Sequence, residues 1–79
     1  MSETKPNIQD AFLNAARKSN TAVNIHITNG YLINGALVKS FDNYAVLIEV
    51  GGKQMLVYKH AISTVTPEAN LDLDREKNA

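Results

Sequence analysis

The alternation of apolar and polar residues after position 21, closed by an Asn-Gly pair, is the feature that most limits the fold. Val23, Ile25 and Ile27 are apolar, whereas the residues between them are polar. Successive side chains of a β-strand point to opposite faces, so this stretch predicts a half-buried strand. Asn29-Gly30 then favours a hairpin, because a type I′ turn needs positive φ at both central positions.

Further turn signals divide the rest of the chain into short segments of β character. Phe41-Asp42-Asn43 and Gly51-Gly52 predict reversals, and residues 60–62 predict a short crossing before the last strand. Gly35 lies inside the second strand, where a glycine commonly marks a sharp bend. We expect the strands to follow one another in meander order. They should span about residues 21–28, 31–40, 44–50, 53–59 and 63–66.

The residues before the first strand have a different period. Ile8, Phe12, Leu13 and Ala16 recur at helical spacing and predict a helix over about residues 8–19, stopping near Ser19-Asn20. Residues 1–6 are polar, and we expect them to be flexible. Residues 68–79 have no useful periodicity and few large apolar groups, which predicts a disordered acidic tail.

The predicted fold class is mostly β with one N-terminal α-helix, in which a strongly bent five-stranded antiparallel sheet forms an open barrel. A chain of 79 residues has a small core, and the absence of cysteine excludes disulfides. His26 and His60 alone do not make a structural metal site. We therefore expect oligomerisation. The fourth and fifth strands should be open edges without proline or inward charge, able to pair head-to-tail into a ring.

Charge and hydropathy narrow the class of protein. Residues 1–67 hold six basic and four acidic groups, and residues 68–79 hold four acidic and two basic groups. A mildly basic body with an acidic tail is compatible with nucleic acid as a partner. No apolar run approaches the roughly 20 residues that span a bilayer, and the N-terminus lacks a signal-peptide core. We expect a cytoplasmic protein without membrane contact, metal or cofactor.

The segment Tyr58-Lys59-His60-Ala61-Ile62-Ser63-Thr64-Val65 resembles a motif of Hfq, the bacterial Sm-like RNA chaperone family. Residues 7–10, 12–14, 29–30 and 41–44 extend the resemblance, which runs from about residue 7 to Pro67. Gly51-Gly52-Lys53-Gln54 is more similar to the Gram-positive branch. The resemblance implies an Sm-like domain over residues 7–67 in a homohexameric ring that catalyses no reaction.

The same resemblance implies that the ring pairs small regulatory RNAs with mRNAs. One face would bind U-rich single strands and the other A-rich single strands, and RNA-processing proteins are further candidate partners. The implied proximal RNA-binding residues are Gln9, Asn43, Tyr44, Lys59 and His60. The implied distal residues are His26, Gly30, Tyr31, Leu32, Ile33, Gln54 and Thr64, and the implied rim residues are Asn14, Arg17 and Lys18.

Several of these positions have ordinary structural interpretations from the residues alone. Tyr44 opens an apolar strand and fits a core position equally well, while Gln9, Lys59 and His60 fit an ordinary surface. His26 stands where the family usually has tyrosine or phenylalanine. Imidazole offers less stacking area to a purine, so weaker or pH-sensitive A-rich binding is a hypothesis. The rim carries only two positive groups, fewer than the arginine-rich pattern of the family.

Two other classes of protein remain to be compared. An enzyme is disfavoured because the chain has no Ser-His-Asp set, glycine-rich phosphate loop, cysteine nucleophile or metal-ligand spacing. An Sm-like ring that acts mainly as a protein-interaction module is the alternative, and Gln9, Tyr44, Lys59 and His60 argue against it. RNA-binding and mass measurements would separate these interpretations.

Overall fold

The computed structural model of the chain describes residues 8–71 and residue 73. One helix precedes five antiparallel strands, which confirms the predicted fold class. Strand ends differ from the predicted ones by at most two residues, and the predicted flexible residues 1–6 lie outside the described part. In chain order the elements are α1 (Ile8–Ser19), β1 (Val23–Ile27), β2 (Leu32–Phe41), β3 (Ala45–Val50), β4 (Lys53–Tyr58), a 3-10 helix (Lys59–Ala61) and β5 (Ile62–Pro67).

The helix α1 ends in a hydrogen-bonded cap centred on Asn20. This residue has φ +55°, its N–H donates to the Arg17 carbonyl, and the Thr21 N–H donates to the Ala16 carbonyl. These two bonds form a Schellman motif, in which a left-handed residue ends the helix. The face of α1 that carries Leu13 and Ala16 is buried. Ile8, predicted to share this face, is exposed because it opens the helix.

The order of the strands across the sheet is β4-β3-β2-β1-β5, so the predicted meander is wrong for the last strand. β5 pairs with β1 instead of β4. The 3-10 helix redirects the chain, and the Thr28 N–H donates to the Ala61 carbonyl at 2.7 Å. β4 and β5 are therefore the two edges of the sheet. β5 also includes Pro67, so the expectation that neither edge holds a proline is wrong; edge strands tolerate proline.

The strand β2 is shared by the two halves of the bent sheet. Its first half, up to Ala36, pairs with β1, and its second half, from Leu37, pairs with β3. Gly35 lies near this junction with φ +69°, a conformation that glycine adopts without steric cost. Its N–H donates to Asn24 Oδ1 at 3.0 Å, beside a register shift in β1. The predicted bend therefore lies where β2 passes from its pairing with β1 to its pairing with β3.

The core lies between α1 and the concave side of the bent sheet. Its largest fully buried side chains are Val23, Ile25, Val46 and Ile48, and no polar or charged side chain of the described residues is buried. The alternation predicted for β1 is present, since His26 is exposed between Ile25 and the partly buried Ile27.

Chain contacts continue past Pro67, where the acidic tail was expected to begin. The Glu68 N–H donates to the Ala22 carbonyl at 2.9 Å, and Leu71 packs against the core. Residues 72 and 74–79 of that tail lie outside the described part.

Within residues 8–71 and 73, no helix has the length and apolar character needed to cross a membrane.

Candidate nucleic-acid interface

A tight turn between β2 and β3 presents Tyr44 to solvent. Asp42 Oδ1 accepts hydrogen bonds from the Tyr44 and Ala45 N–H groups, both at 2.8 Å. An Asp or Asn side chain that hydrogen-bonds to the backbone two residues further along the chain stabilises a turn locally. Hydrogen bonds from the backbone of Tyr44 and then Ala45 lower the pKa of Asp42 from 3.8. The turn leaves Tyr44 69% exposed, so it is not a core residue of this chain.

Lys59 is fixed beside this turn by its backbone and by its side chain. Its N–H donates to the Tyr44 carbonyl at 2.7 Å. Its Nζ donates to Asp10 Oδ1 at 2.9 Å and lies 5.4 Å from the centroid of the Phe41 ring. The Lys59 side chain is only 12% exposed, against 31% for Asp10. The ammonium is thus held between helix and sheet, and the alternative of an ordinary solvated lysine does not apply.

A cavity of about 190 Å³ lies between α1 and β5, next to Lys59. Gln9 of α1 borders it, so Gln9 and Lys59 share one recess. Four consecutive residues of β5 also line it, although side chains in a strand alternate between faces. The cavity therefore runs along the free edge of β5. Its lining is Gln9, Leu13, Lys59, Ile62, Ser63, Thr64 and Val65.

The structure thus groups most of the predicted proximal residues. Tyr44 and Lys59 are joined by a backbone hydrogen bond, and Gln9 and Lys59 border the same cavity. Asn43 directly precedes Tyr44 in sequence, His60 directly follows Lys59, and both are exposed. We call this group the Tyr44 surface. It consists of Gln9, Asn43, Tyr44, Lys59 and His60.

A second tight turn, between β1 and β2, presents Tyr31. Asn29 Oδ1 accepts a hydrogen bond from the Tyr31 N–H at 2.9 Å, and Gly30 has φ +95°. The Ile27 N–H donates to the Tyr31 carbonyl at 2.8 Å, which closes the predicted hairpin. Gly30 has positive φ but Asn29 does not, so the expected type I′ turn is wrong. Tyr31 is 62% exposed. The geometry matches that at Tyr44: an Asx residue, one intervening residue, then an exposed tyrosine.

Three exposed side chains align across neighbouring strands next to this turn. His26 of β1 lies opposite Leu32 of β2 on one side and opposite Thr64 of β5 on the other. Directly opposed residues in antiparallel strands have side chains close enough to interact. We call the group of His26, Gly30, Tyr31, Leu32 and Thr64 the Tyr31 surface.

Two predicted distal residues are not part of the Tyr31 surface in one chain. The Ile33 side chain is only 7% exposed and belongs to the core cluster, because strand alternation turns it away from Leu32. Gln54 lies on β4, opposite Glu49, at the far edge of the sheet from Thr64. A single chain therefore does not bring Gln54 and Thr64 together.

The predicted rim residues lie on the last two turns of α1. The Arg17 guanidinium donates to Asn14 Oδ1 at 2.6 Å, which holds it along the helix surface. Lys18 is exposed beside it. Both positive groups lie at the C-terminal end of the helix, where its dipole favours them.

Some residues that build these surfaces were not selected from the sequence. Asn29 and Asp42 shape the turns, and the Asx-x-Tyr spacing at both places was a local signal that points to them. Asp10 and Phe41 position Lys59, but they are far from it in sequence and carry no local signal. In the described part of the chain, no group of three or more His, Cys, Asp or Glu side chains is arranged to hold a metal ion.

Comparison with known proteins identifies the family. The family model described as Hfq protein matches residues 8–72. The chain belongs to the Hfq family. RNA-binding protein Hfq of Bacillus thuringiensis (strain Al Hakam) and of Bacillus mycoides (strain KBAB4) are each 53% identical over 70 residues, which cover 89% of this chain and 93% of the relative. The resemblance predicted from the Tyr58–Val65 motif is confirmed.

A solved structure shows the same fold. The crystal structure of the pleiotropic translational regulator Hfq at 1.55 Å superimposes with a TM-score of 0.72 and 40% sequence identity. The match covers 76% of this chain and 98% of that one. One helix and a bent five-stranded antiparallel sheet are therefore the Sm-like fold of Hfq.

Proposed function

We propose that this Hfq-family chain is an RNA chaperone that binds U-rich single strands at the Tyr44 surface and A-rich single strands at the Tyr31 surface. The observation that carries the proposal is the pair of exposed tyrosines, each held by an Asx turn at opposite ends of β2. Single-stranded RNA is bound by stacking bases on aromatic side chains and by hydrogen bonds to base edges.

At the Tyr44 surface, the tyrosine ring stacks a uracil and the neighbouring groups read its edge. The Lys59 ammonium, already positioned by Asp10, donates to a uracil carbonyl, and the His60 ring donates to the base or its phosphate. The Gln9 amide lies near Lys59 and contacts the same base. Asn43 lies beside the stack. Of these contacts, the donors of Lys59 and Gln9 favour a base that presents carbonyl oxygens.

At the Tyr31 surface, the alignment of His26, Leu32 and Thr64 suits a purine. Tyr31 and Leu32 supply apolar area, the His26 imidazole supplies a stacking face, and the Thr64 hydroxyl reaches a base edge. Gly30 allows the RNA to approach the backbone closely. Ile33 supports the site from the core instead of contacting RNA through its side chain.

The ring follows from the two open edges of the sheet. β4 exposes the large apolar side chains Met55, Leu56 and Tyr58, and β5 borders the open cavity. Pairing β4 of one copy with β5 of the next satisfies both edges in a heterologous contact that closes into a ring, which we propose to be a homohexamer. That contact brings Gln54 of one copy toward Thr64 of its neighbour and completes the A-rich site.

The exposed helix ends extend the proposal from binding to RNA pairing. Arg17 and Lys18, with Asn14, offer phosphate contacts on every copy, and repeated weak sites on one particle raise the overall avidity. A small RNA on one face and an mRNA on the other would meet at this rim. The chain then promotes pairing and post-transcriptional regulation in the cytoplasm, without catalysing a reaction and with RNA-processing proteins as further partners.

Fluorescence anisotropy with labelled oligouridylate and oligoadenylate, together with native mass spectrometry, tests the proposal. We expect both RNAs to bind a particle with the mass of six chains. A Tyr44→Ala, His60→Ala double variant should lose oligouridylate alone. The matched Tyr31→Ala, His26→Ala double variant should lose oligoadenylate alone. A monomeric particle would refute the ring, and a ring that binds neither RNA would favour the protein-interaction module.

A further inference from the structure

Lys59 differs from the other basic side chains that we assign to RNA binding, because a carboxylate neutralises it. Its Nζ lies 2.9 Å from Asp10 Oδ1, and its side chain is almost fully covered. Arg17 is instead hydrogen-bonded to the neutral amide of Asn14, and Lys18 is exposed. The Tyr44 surface therefore presents a paired cation, whereas the rim presents net positive charge.

This pairing determines which RNA atoms Lys59 can favour. An ammonium has three donors, and Asp10 takes one of them. A phosphate that approached Lys59 would also approach the Asp10 carboxylate, whose like charge opposes it. A neutral carbonyl oxygen can accept from a remaining donor without that repulsion. The ion pair thus favours a base carbonyl over a phosphate at this position.

The fixed geometry of the pair adds to this preference. The Lys59 backbone bonds to the Tyr44 carbonyl, and the ammonium lies over the Phe41 ring. The donor therefore stays at one place beside the stacking tyrosine and does not move on a flexible stem to follow the RNA backbone. A donor held in register with position 4 of a stacked base distinguishes uracil from cytosine, because uracil has a carbonyl there and cytosine an amino group, whereas both have a carbonyl at position 2.

We propose that Asp10 is a specificity-determining residue: it restrains Lys59 and screens its charge, so that the U-rich site reads a uracil carbonyl in preference to binding any phosphate. The proposal rests on the proposed function, in which Lys59 belongs to the U-rich site. Asp10 acts through Lys59 and is a positioning residue.

The dependence of binding on salt distinguishes the two modes of contact. Each phosphate contact to a single strand contributes about −0.7 to the slope of log affinity against log salt concentration. Lys59→Met should weaken hexauridylate binding by about tenfold or more, since hydrogen bonds from charged donors are strong, and leave this slope unchanged. Lys18→Met should weaken binding of longer RNAs of any sequence and reduce their slope.

The deciding variant is Asp10→Asn, measured with hexauridylate and hexacytidylate over a range of salt concentrations. Releasing Lys59 should strengthen hexacytidylate binding, steepen its salt slope by about 0.7 for each additional phosphate that is neutralised, and reduce the preference for uridylate several-fold. Glu49→Gln is the matched control. It makes the same change of charge at the Lys39–Glu49 pair on β2 and β3 and should leave the preference unchanged.

Two further variants separate this effect from a loss of structure. Asp10→Ser removes the carboxylate by a different route and should reproduce the results of Asp10→Asn. In a Lys59→Met background, Asp10→Asn should no longer change the slope or the base preference, because the coupling between the two residues has been removed.

Three results would overturn the proposal. If both neutral variants at Asp10 weaken hexauridylate and hexacytidylate equally at unchanged slope, Asp10 acts only in packing. If Lys59→Met weakens hexauridylate while the Asp10 variants keep its preference, the site stands and the role of Asp10 is refuted. If Lys59→Met leaves hexauridylate affinity unchanged, the assignment of Lys59 to the site fails, and this inference fails with it.

Discussion

The turns at the two ends of β2 share the same Asx hydrogen bond but have different neighbouring side chains. At each end an Asx side chain accepts the N–H of a tyrosine two residues on and leaves that tyrosine more than half exposed. Next to Tyr44 lie the Asp42 carboxylate and the Lys59–Asp10 ion pair, whereas next to Tyr31 lie Leu32 and, across the strands, His26 and Thr64. The two exposed tyrosines therefore differ in the hydrogen-bonding groups beside them.

The two turns also differ in how firmly they hold the tyrosine. Asp42 accepts two backbone N–H groups, and the Tyr44 carbonyl is bonded to Lys59. Asn29 accepts one N–H through a neutral amide. Charge-assisted hydrogen bonds are stronger than neutral ones, so the Tyr44 turn should be the more rigid. The neighbours of each tyrosine, and not the ring alone, therefore distinguish the two proposed sites.

The largest effect should come from Tyr44→Ala. Stacking on an aromatic side chain contributes about 1–3 kcal/mol per base, so oligouridylate affinity should fall by about 5- to 150-fold. Oligoadenylate affinity should not change, because Tyr31 is untouched. Anisotropy titration measures both, and Tyr44→Phe, which keeps the ring, is the control. Equal losses for both RNAs would show that the two ends of β2 are not separate sites.

The next effect concerns the bend that separates the two ends. Gly35 has φ +69° with open space around its Cα, so Gly35→Ala costs backbone strain and no steric clash. A left-handed conformation in an L-residue costs about 1–2 kcal/mol, and the free energy of unfolding should fall by that amount. Denaturant unfolding measures it. An unchanged midpoint would mean that the bend does not need a glycine.

A smaller gain should follow from His26→Tyr. A tyrosine ring offers more stacking area than imidazole, and an aromatic pair contributes about 0.5–1.5 kcal/mol, so oligoadenylate affinity should rise by about 2- to 12-fold. Oligouridylate affinity should stay constant. His26→Leu, which has no aromatic ring, is the control and should give no gain. The same gain in both His26 variants would attribute it to hydrophobic area alone.

The smallest effect is a difference in pH response between the two turns. Hydrogen bonds to the ionised form lower the pKa of Asp42 from 3.8, so its contribution to the turn is complete above pH 3.8 and is lost as pH falls through the lower folded value. The NMR amide shifts of Tyr44 and Ala45 should therefore move in acid below pH 3.8. In Asp42→Asn they should not, and Tyr31 should show no such step because Asn29 does not titrate. Movement at Tyr31 alone would contradict the assignment.

Local patterns predicted much of the fold because local forces determine it. The period of two in β1, the left-handed cap at Asn20 and the bend at Gly35 depend on neighbours in sequence. The pairing of β5 with β1 depends instead on how the 3-10 helix returns the chain across the sheet. A meander and the observed pairing of β5 with β1 are both compatible with the same local sequence pattern. Only the packing of the whole chain decides which of the two arrangements forms.

The same division applies to the candidate surfaces. The motif at Lys59 and His60 was visible as a contiguous segment, and the structure bonds the Lys59 backbone to Tyr44. Asp10 is 49 residues from Lys59, so its ion pair carries no sequence signal. Ile33 and Gln54 were selected from the sequence, but the structure does not place them on the Tyr31 surface. Strand alternation turns Ile33 into the core, and the strand order puts Gln54 at the edge of the sheet opposite β5.

Simultaneous binding of two RNAs tests the central claim most directly. Oligouridylate and oligoadenylate with different fluorophores would be titrated onto one sample, and the affinity for each measured with the other at saturation. Separate surfaces at opposite ends of β2 predict that neither affinity changes and that both colours travel on one particle. Displacement of oligouridylate by oligoadenylate at equivalent occupancy would show a single shared surface and contradict the account.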